Sequence, residues 1–111
     1  MKKDSAQLLS VFMLLVALFF HSSLININMI DKIKILSNIC YTDLVYKRIN
    51  KKLKTNFSKK QIEDYVFRIL NETEVKYFLK IGKNFYIINI EYKIKITINS
   101  STFRIITLDR I

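Results

Sequence analysis

The chain has 111 residues and carries 19 lysines and arginines against 9 aspartates and glutamates, a formal net charge of +10. This length gives room for one small domain with one modest core. Its single cysteine, Cys40, excludes an intrachain disulfide, the cross-link on which small secreted domains usually rely. We therefore expect a protein of a reducing compartment, the cytoplasm.

The excess of positive charge has two interpretations. A basic domain of this size is attracted to phosphate backbones, anionic lipid surfaces or acidic proteins. The chain is also rich in Ile, Lys, Asn and Tyr, as AT-rich coding produces, and such coding raises the lysine content without selecting a partner. Composition alone does not separate the two interpretations.

An apolar N-terminal segment, residues 1–28, precedes the basic domain, residues 29–111. Its centre, Leu8–Phe20, follows Lys2 and Lys3 as the apolar part of a secretory signal would, but the small residues of a cleavage site are missing after it. A transmembrane helix needs about 20 apolar residues, and this run reaches that length only through His21 and other polar residues.

Three interpretations of this segment stay open. In the first, which the sequence favours most, translation starts at Met29 and the segment is an artefact of the gene model. In the second the segment is an uncleaved anchor. In the third, the least favoured, it is a cleaved signal. An anchor would keep the basic domain in the cytoplasm, because positive residues near the membrane are retained there. A membrane is a partner only if residues 8–27 are translated.

Two helices are predicted after the segment. From Thr42 to Leu53, apolar residues recur at four-residue spacing behind Thr42 as N-cap. Ser58 and Gln61 form a capping box at the start of the second helix, which runs to about Asn71, and Phe57 is placed as its hydrophobic staple.

After Thr73 the period changes to the alternation of strands. Turns are predicted at Gly82-Lys83, Glu91-Tyr92 and Ser100-Ser101, which gives antiparallel hairpins. One face of this sheet is apolar and suits the two helices; it comprises Phe85, Ile87, Ile94, Ile96, Ile98, Phe103 and Ile105.

The other face interleaves aromatic, basic and apolar side chains. It comprises Tyr86, Ile88, Lys93, Lys95, Thr97, Arg104, Ile106 and Leu108. Such a face can stack bases and hold phosphates, as it does in proteins that bind single strands or RNA. Alternatively, the first helix or a second subunit covers Ile88, Ile106 and Leu108, and Ile106 and Leu108 then mark a homodimer interface. The sequence favours this structural interpretation slightly.

Four segments resemble a family of short bacterial proteins, domain of unknown function 3781. They are NICYTDLVYKRINKKL (38–53), NFSKKQIEDYVFRILNET (56–73), GKNFYI (82–87) and TINSSTFRIITLDRI (97–111). The resemblance runs from about Ser37 to the last residue and implies no activity. Members begin just before the first of these helices, which supports a start at Met29.

No residue pattern indicates catalysis, a metal or a cofactor. The only histidine, His21, lies in the apolar segment, and Cys40 is expected to be a small buried residue without a histidine near it. The layout of two helices and a sheet bearing Tyr86, Lys95, Arg104 and Arg110 is loosely similar to RelE-type ribonuclease toxins, which is an analogy of layout alone.

The sequence thus predicts an α+β domain, with two N-terminal helices packed on one face of a three- or four-stranded antiparallel meander. We expect a non-enzymatic binding module with nucleic acid as the leading ligand. The alternatives are a RelE-like ribonuclease toxin and a structural or protein-interaction domain, including a membrane-tethered one. The candidate nucleic-acid-binding residues are Lys51, Lys52, Tyr86, Lys95 and Arg104.

Overall fold

A computed structural model of the chain describes residues 24–26 and 29–111. In these residues it has helices α1 (Met29–Asn38), α2 (Asp43–Leu53) and α3 (Lys59–Glu72), a 3-10 turn at Val75–Tyr77, and five strands. The strands are β1 (Leu24–Asn26), β2 (Phe78–Ile81), β3 (Asn84–Asn89), β4 (Ile94–Asn99) and β5 (Ile105–Arg110). They form one antiparallel sheet in the order β1-β2-β3-β4-β5. The α+β class and the meander are confirmed, while α1 is a helix that the sequence pattern does not predict.

The two predicted helices begin at their predicted caps. Before α2, the hydroxyl of Thr42 accepts from the main-chain N–H of Val45 over 3.3 Å. Before α3, Ser58 Oγ accepts from Gln61 N over 3.2 Å and Gln61 Oε1 accepts from Ser58 N over 2.8 Å. This reciprocal pair satisfies two N–H groups that would otherwise lack partners at the helix start.

Helix α1 is attached to the domain by a buried lysine. Lys32 is 8% exposed, and its Nζ donates to the carbonyls of Asn71 over 2.9 Å and Thr73 over 2.6 Å. These carbonyls lie at the C-terminal end of α3, where free carbonyls and the helix dipole favour a cation. Since lysine is rarely buried, this contact could not be expected from the sequence pattern.

The turns between strands follow the sequence. Gly82 and Lys83 connect β2 and β3, and Gly82 has a φ of +60°, which glycine adopts without strain at the first position of such a turn. The predicted turns at 91–92 and 100–101 lie in the next two connections. Local turn chemistry therefore defines the order of the strands.

The helices cover one face of the sheet. On the sheet side, the buried residues are Phe78, Phe85, Ile87, Ile94, Ile96, Ile98, Ile105 and Leu108. On the helix side they are Ile35, Val45, Ile49, Leu53, Ile62, Val66, Ile69 and Leu70. The predicted apolar face is confirmed, except that Phe103 is only partly buried and precedes β5.

Strand β5 departs from the predicted register. The pairing with β4 shifts between Thr97 and Ile98, and Ile106 is the extra residue of β5 at this bulge. Beyond the bulge, Leu108 lies opposite Ile96 and is fully buried in the core. The prediction that Leu108 lies on the face away from the helices is therefore wrong, and Leu108 is not available for a homodimer interface with Ile106.

The expectation that Cys40 is buried is also wrong. Its side chain is exposed, and the residue contributes through its main chain, which pairs in parallel with the start of β5. Cys40 N donates to Phe103 O over 3.1 Å, and Ile105 N donates to Cys40 O over 2.9 Å. Together with Arg48, which donates to Ile106 O over 2.7 Å, this segment covers the outer edge of β5.

The predicted apolar segment, residues 1–28, lies outside the described residues apart from the main chain of β1. This three-residue strand pairs with β2, so that residue 24 lies opposite Ile81. In the described part of the chain, no helix combines the length and the hydropathy that a membrane span needs.

Candidate nucleic-acid interface

Basic residues are concentrated around helix α2. Between Asp43 and Glu63 the chain has no acidic residue, but it has seven basic ones: Lys47, Arg48, Lys51, Lys52, Lys54, Lys59 and Lys60. The apolar stripe of α2, formed by Val45, Ile49 and Leu53, is buried, so the cations of the helix are confined to its remaining surface. They divide into two groups with different surroundings.

Lys47, Lys51 and Lys54 form the exposed group, which we call the lysine row. All three side chains are exposed, and none takes part in an ion pair among the described residues. Lys47 and Lys51 lie one helical turn apart, and Lys54 follows at the C-cap. Of these three, only Lys51 is among the five predicted site residues; Lys47 lies inside the predicted helix and Lys54 just beyond it.

A hydrogen-bonded turn fixes the end of the lysine row. Lys54 adopts the left-handed conformation, with φ 58°, and its N–H reaches back to the carbonyls of the last helical turn. Asn50 then holds the following loop, since its Oδ1 accepts from Phe57 N over 2.9 Å and its Nδ2 donates to Phe57 O over 3.0 Å. The lysines at this end are therefore carried by an ordered main chain.

The second group of cations attaches α2 to β5. Lys52 Nζ lies 2.6 Å from Asp109 Oδ1, and Arg48 donates to the carbonyl of Ile106. In the opposite direction, Arg110 donates to Leu53 O over 2.9 Å. Lys52, a predicted phosphate ligand, thus already has a carboxylate partner.

Two of the predicted sheet residues lie near that ion pair. Lys95 is directly opposite Asp109 on the face away from the helices, and Tyr86 is on the adjacent strand opposite Thr97. Both Tyr86 and Lys95 are half-buried. Because a carboxylate lies between Lys52 and Lys95, the attraction of this part of the face for a phosphate is reduced.

Arg104 lies at the opposite end of β4 from Lys95. Its carbonyl accepts from Asn99 N over 2.9 Å, and Asn99 is four strand residues, about 14 Å, from Lys95. The structure thus brings Lys52, Lys95 and Tyr86 into one area, and it places Arg104 and Lys51 elsewhere. The five predicted residues do not form a single site.

The acidic residues nearest α2 have cationic or hydroxyl partners. Asp43 pairs with Lys59 over 3.1 Å, and Tyr46 donates to Glu63 over 2.5 Å. Burial, followed by this hydrogen bond, raises the pKa of Tyr46 to about 12. Burial also raises the pKa of Tyr41, which stacks on Tyr46 at 5.2 Å between ring centroids.

Three further carboxylates lie far from the lysine row. Glu72, Glu74 and Glu91 line a cleft beside the C-terminal end of α3. The row ends near the N-terminal end of α3, and a helix of 14 residues is about 21 Å long. These three carboxylates are therefore too far away to neutralise the lysine row.

One known protein family is similar to most of this domain. The model of one family, described as Protein of unknown function (DUF3781), matches residues 33–109. No curated protein and no solved structure gives a significant match. The matched region includes α2, α3 and strands β2 to β4 in full, and all of β5 except Arg110. Because it covers well over half of the sequence, the chain belongs to this DUF3781 family.

Proposed function

We propose that this protein binds nucleic acid through its phosphate groups, with the lysine row of α2 as the main contact. The observation that carries the proposal is the exposure of Lys47, Lys51 and Lys54 without carboxylate partners among the described residues. Exposed lysines that already have carboxylate partners would lose those contacts on binding. Binding through the lysine row breaks no ion pair among the described residues.

A contact of this kind has a defined thermodynamic signature. Lysines that neutralise phosphates release counterions, so affinity falls with salt by a slope of about 0.7 to 0.9 per contact on a logarithmic plot. Three contacts predict a contribution of about 2 to 3 to this slope. Because phosphates carry no sequence information, we expect little preference among base sequences.

The test compares two variants of equal net charge in the full chain. One replaces the lysine row (Lys47→Gln, Lys51→Gln, Lys54→Gln), and the control replaces three exposed lysines elsewhere (Lys34→Gln, Lys76→Gln, Lys83→Gln). Binding of labelled single- and double-stranded oligonucleotides is measured by fluorescence anisotropy over a range of salt concentrations.

The row variant should lose most of its affinity, and its salt slope should fall by about 2 to 3. The control should keep most of both. Equal losses in the two variants would show that net charge alone is responsible, as expected from AT-rich coding, and would overturn the proposed site. No binding by the unmodified protein at low salt would overturn the function.

No specific observation favours the ribonuclease alternative. It would require Tyr86, Lys95 and an arginine, Arg104 or Arg110, to converge on one phosphate. Arg104 lies about four strand residues from Lys95, and Arg110 is engaged with the carbonyl of Leu53. We therefore propose binding without cleavage, and intact RNA after prolonged incubation is the expected result.

A further inference from the structure

The turn between β4 and β5 holds a phenylalanine in an unusual main-chain conformation. Phe103 has φ 59°, in the left-handed region, where a residue with a Cβ atom is strained. Its N–H donates to Asn99 O over 2.9 Å. The side chain of Asn99 in turn accepts from the N–H groups of Ser101 and Thr102. Bulky residues in this region are concentrated at ligand-binding sites, where the surrounding structure holds them in place.

The ring of Phe103 is only partly covered by the core. It stacks on Phe85, with 6.4 Å between the ring centroids and 29° between the ring planes. Phe85 is buried, whereas Phe103 remains half-buried. Arg104, the next residue, is exposed and takes part in no ion pair among the described residues. An accessible aromatic ring beside a cation is an arrangement on which unpaired bases stack.

The position of Arg104 relative to α2 follows from the contacts between α2 and β5. Arg48, in the middle of α2, donates to Ile106 O at the start of β5. Near the end of both elements, Lys52 pairs with Asp109. The two elements therefore run in the same direction. Since Arg104 precedes Ile106 by about 7 Å of strand, it lies level with the first turn of α2.

The first turn of α2 connects Arg104 with the lysine row. Cys40, which leads into α2, pairs through its main chain with Arg104. Lys47, the first member of the row, is four residues, or about 6 Å, from the start of the helix at Asp43. A nucleic-acid strand that follows the row past Lys47 therefore reaches Arg104 and, beside it, Phe103.

The carboxylates around this turn are either distant or paired. Between Glu91 and Asp109 the chain has no acidic residue. Both of these lie beside the first residues of β4, whereas the turn follows its last residue, Asn99, about 14 Å away. Asp43 is closer, but it pairs with Lys59 of α3 over 3.1 Å. The charge of Arg104 is thus available to a phosphate.

We propose that the ligand of the lysine row is a single-stranded nucleic acid, whose backbone continues from the row to Arg104 and one of whose bases stacks on Phe103. This inference rests on the proposed function and adds the state of the strand to it. A duplex does not offer this contact, because its bases are paired and stacked on one another. RNA and DNA strands both supply the phosphates and the unpaired base.

The test separates the base contact from the phosphate contacts. Binding of a labelled oligothymidylate to the full chain is compared with binding of an abasic strand of equal length, which has the same phosphates and no bases. The variant Phe103→Leu keeps an apolar side chain and removes the aromatic ring. Phe67→Leu, at an exposed position of α3, is the matched control. A duplex is the third ligand.

We expect the unmodified protein and the control to bind oligothymidylate at least about fivefold more tightly than the abasic strand. Phe103→Leu should bind the two strands almost equally, with its affinities for the abasic strand and the duplex unchanged. Equal affinity of the unmodified protein for both strands, or a base preference that survives in Phe103→Leu, would overturn this inference and leave the proposed function standing. No binding of any ligand at low salt would overturn both.

A second measurement uses the unmodified protein and so does not depend on the folding of a variant. An oligothymidylate that carries one 5-iodouracil is crosslinked to the protein by ultraviolet light. Mass spectrometry should then locate the adduct in the tryptic peptide of residues 96–104, which contains Phe103. Adducts confined to other peptides would overturn the assignment of the base to Phe103.

Discussion

The ammonium group of Lys32 donates to the main-chain carbonyl of Thr73 over 2.6 Å, although 41 residues separate them in the chain. The hydroxyl of Thr73 donates to Ile69 O over 2.6 Å and accepts from Asn89 Nδ2 over 2.8 Å. This buried chain of polar groups connects α1, the end of α3 and the end of β3. It holds three elements in one arrangement because each unpaired buried group would be costly.

Replacing Lys32 by methionine should therefore destabilise the domain. Lys32→Met keeps the aliphatic length but leaves the carbonyls of Asn71 and Thr73 without this donor, so we expect a loss of roughly 1 to 3 kcal/mol. Lys34→Met, at an exposed position of the same helix, should change stability by less than about 0.5 kcal/mol. Urea unfolding measures both, and equal stabilities would contradict the buried contact.

The bulge in β5 predicts unequal effects at two neighbouring apolar positions. Leu108→Ala creates a cavity in the core and should cost about 2 to 5 kcal/mol. Ile106 is half-buried, and Ile106→Ala should cost distinctly less. Simple alternation along β5 would give both residues the same environment, so similar losses in thermal unfolding would contradict the bulge.

The left-handed residue at the end of α2 offers a stabilising substitution. Lys54 has φ 58°, a conformation that costs a residue with a Cβ atom about 1 kcal/mol relative to glycine. Lys54→Gly should raise the free energy of unfolding by up to about 1 kcal/mol. The matched control Lys51→Gly, inside the helix, should lower it by about 1 kcal/mol. A loss of stability in Lys54→Gly would contradict this backbone conformation.

The hydrogen bond from Tyr46 to Glu63 predicts a pH dependence at alkaline pH. The pKa of Tyr46 is raised in the folded state to about 12, above the ordinary 10.0 that applies when the chain is unfolded. Its contribution to stability is therefore fully present below pH 10 and is lost as pH rises towards 12. The stability advantage of the unmodified protein over Tyr46→Phe should shrink over this interval in urea unfolding. A constant difference would show that Tyr46 is not engaged.

Much of the fold could be predicted from local patterns. Ser58 and Gln61 define the start of α3 because their reciprocal hydrogen bonds involve residues only three apart. Gly82 defines a tight turn for a similar reason, since a positive φ is a property of one residue. The alternation in β3 and β4 likewise identifies the face that the helices cover.

The candidate site could be predicted only in part. The concentration of lysines on α2 is visible in the sequence, but their partners are not. Lys51 is unpaired among the described residues, whereas Lys52, the next residue, pairs with Asp109 from the far end of the chain. A contact between residues 57 apart in sequence has no local signature.

The sequence by itself determined the class of fold, the family, the capped helices and the order of the hairpins, because these depend on periodicity and on hydrogen bonds between near neighbours. Only the tertiary structure decided that Leu108 is in the core, that Lys32 is buried, that Cys40 is exposed and that Arg104 lies apart from Lys95. Each of these depends on a bulge or on contacts between distant elements. Their energies become favourable only when the sheet and the helices have packed together.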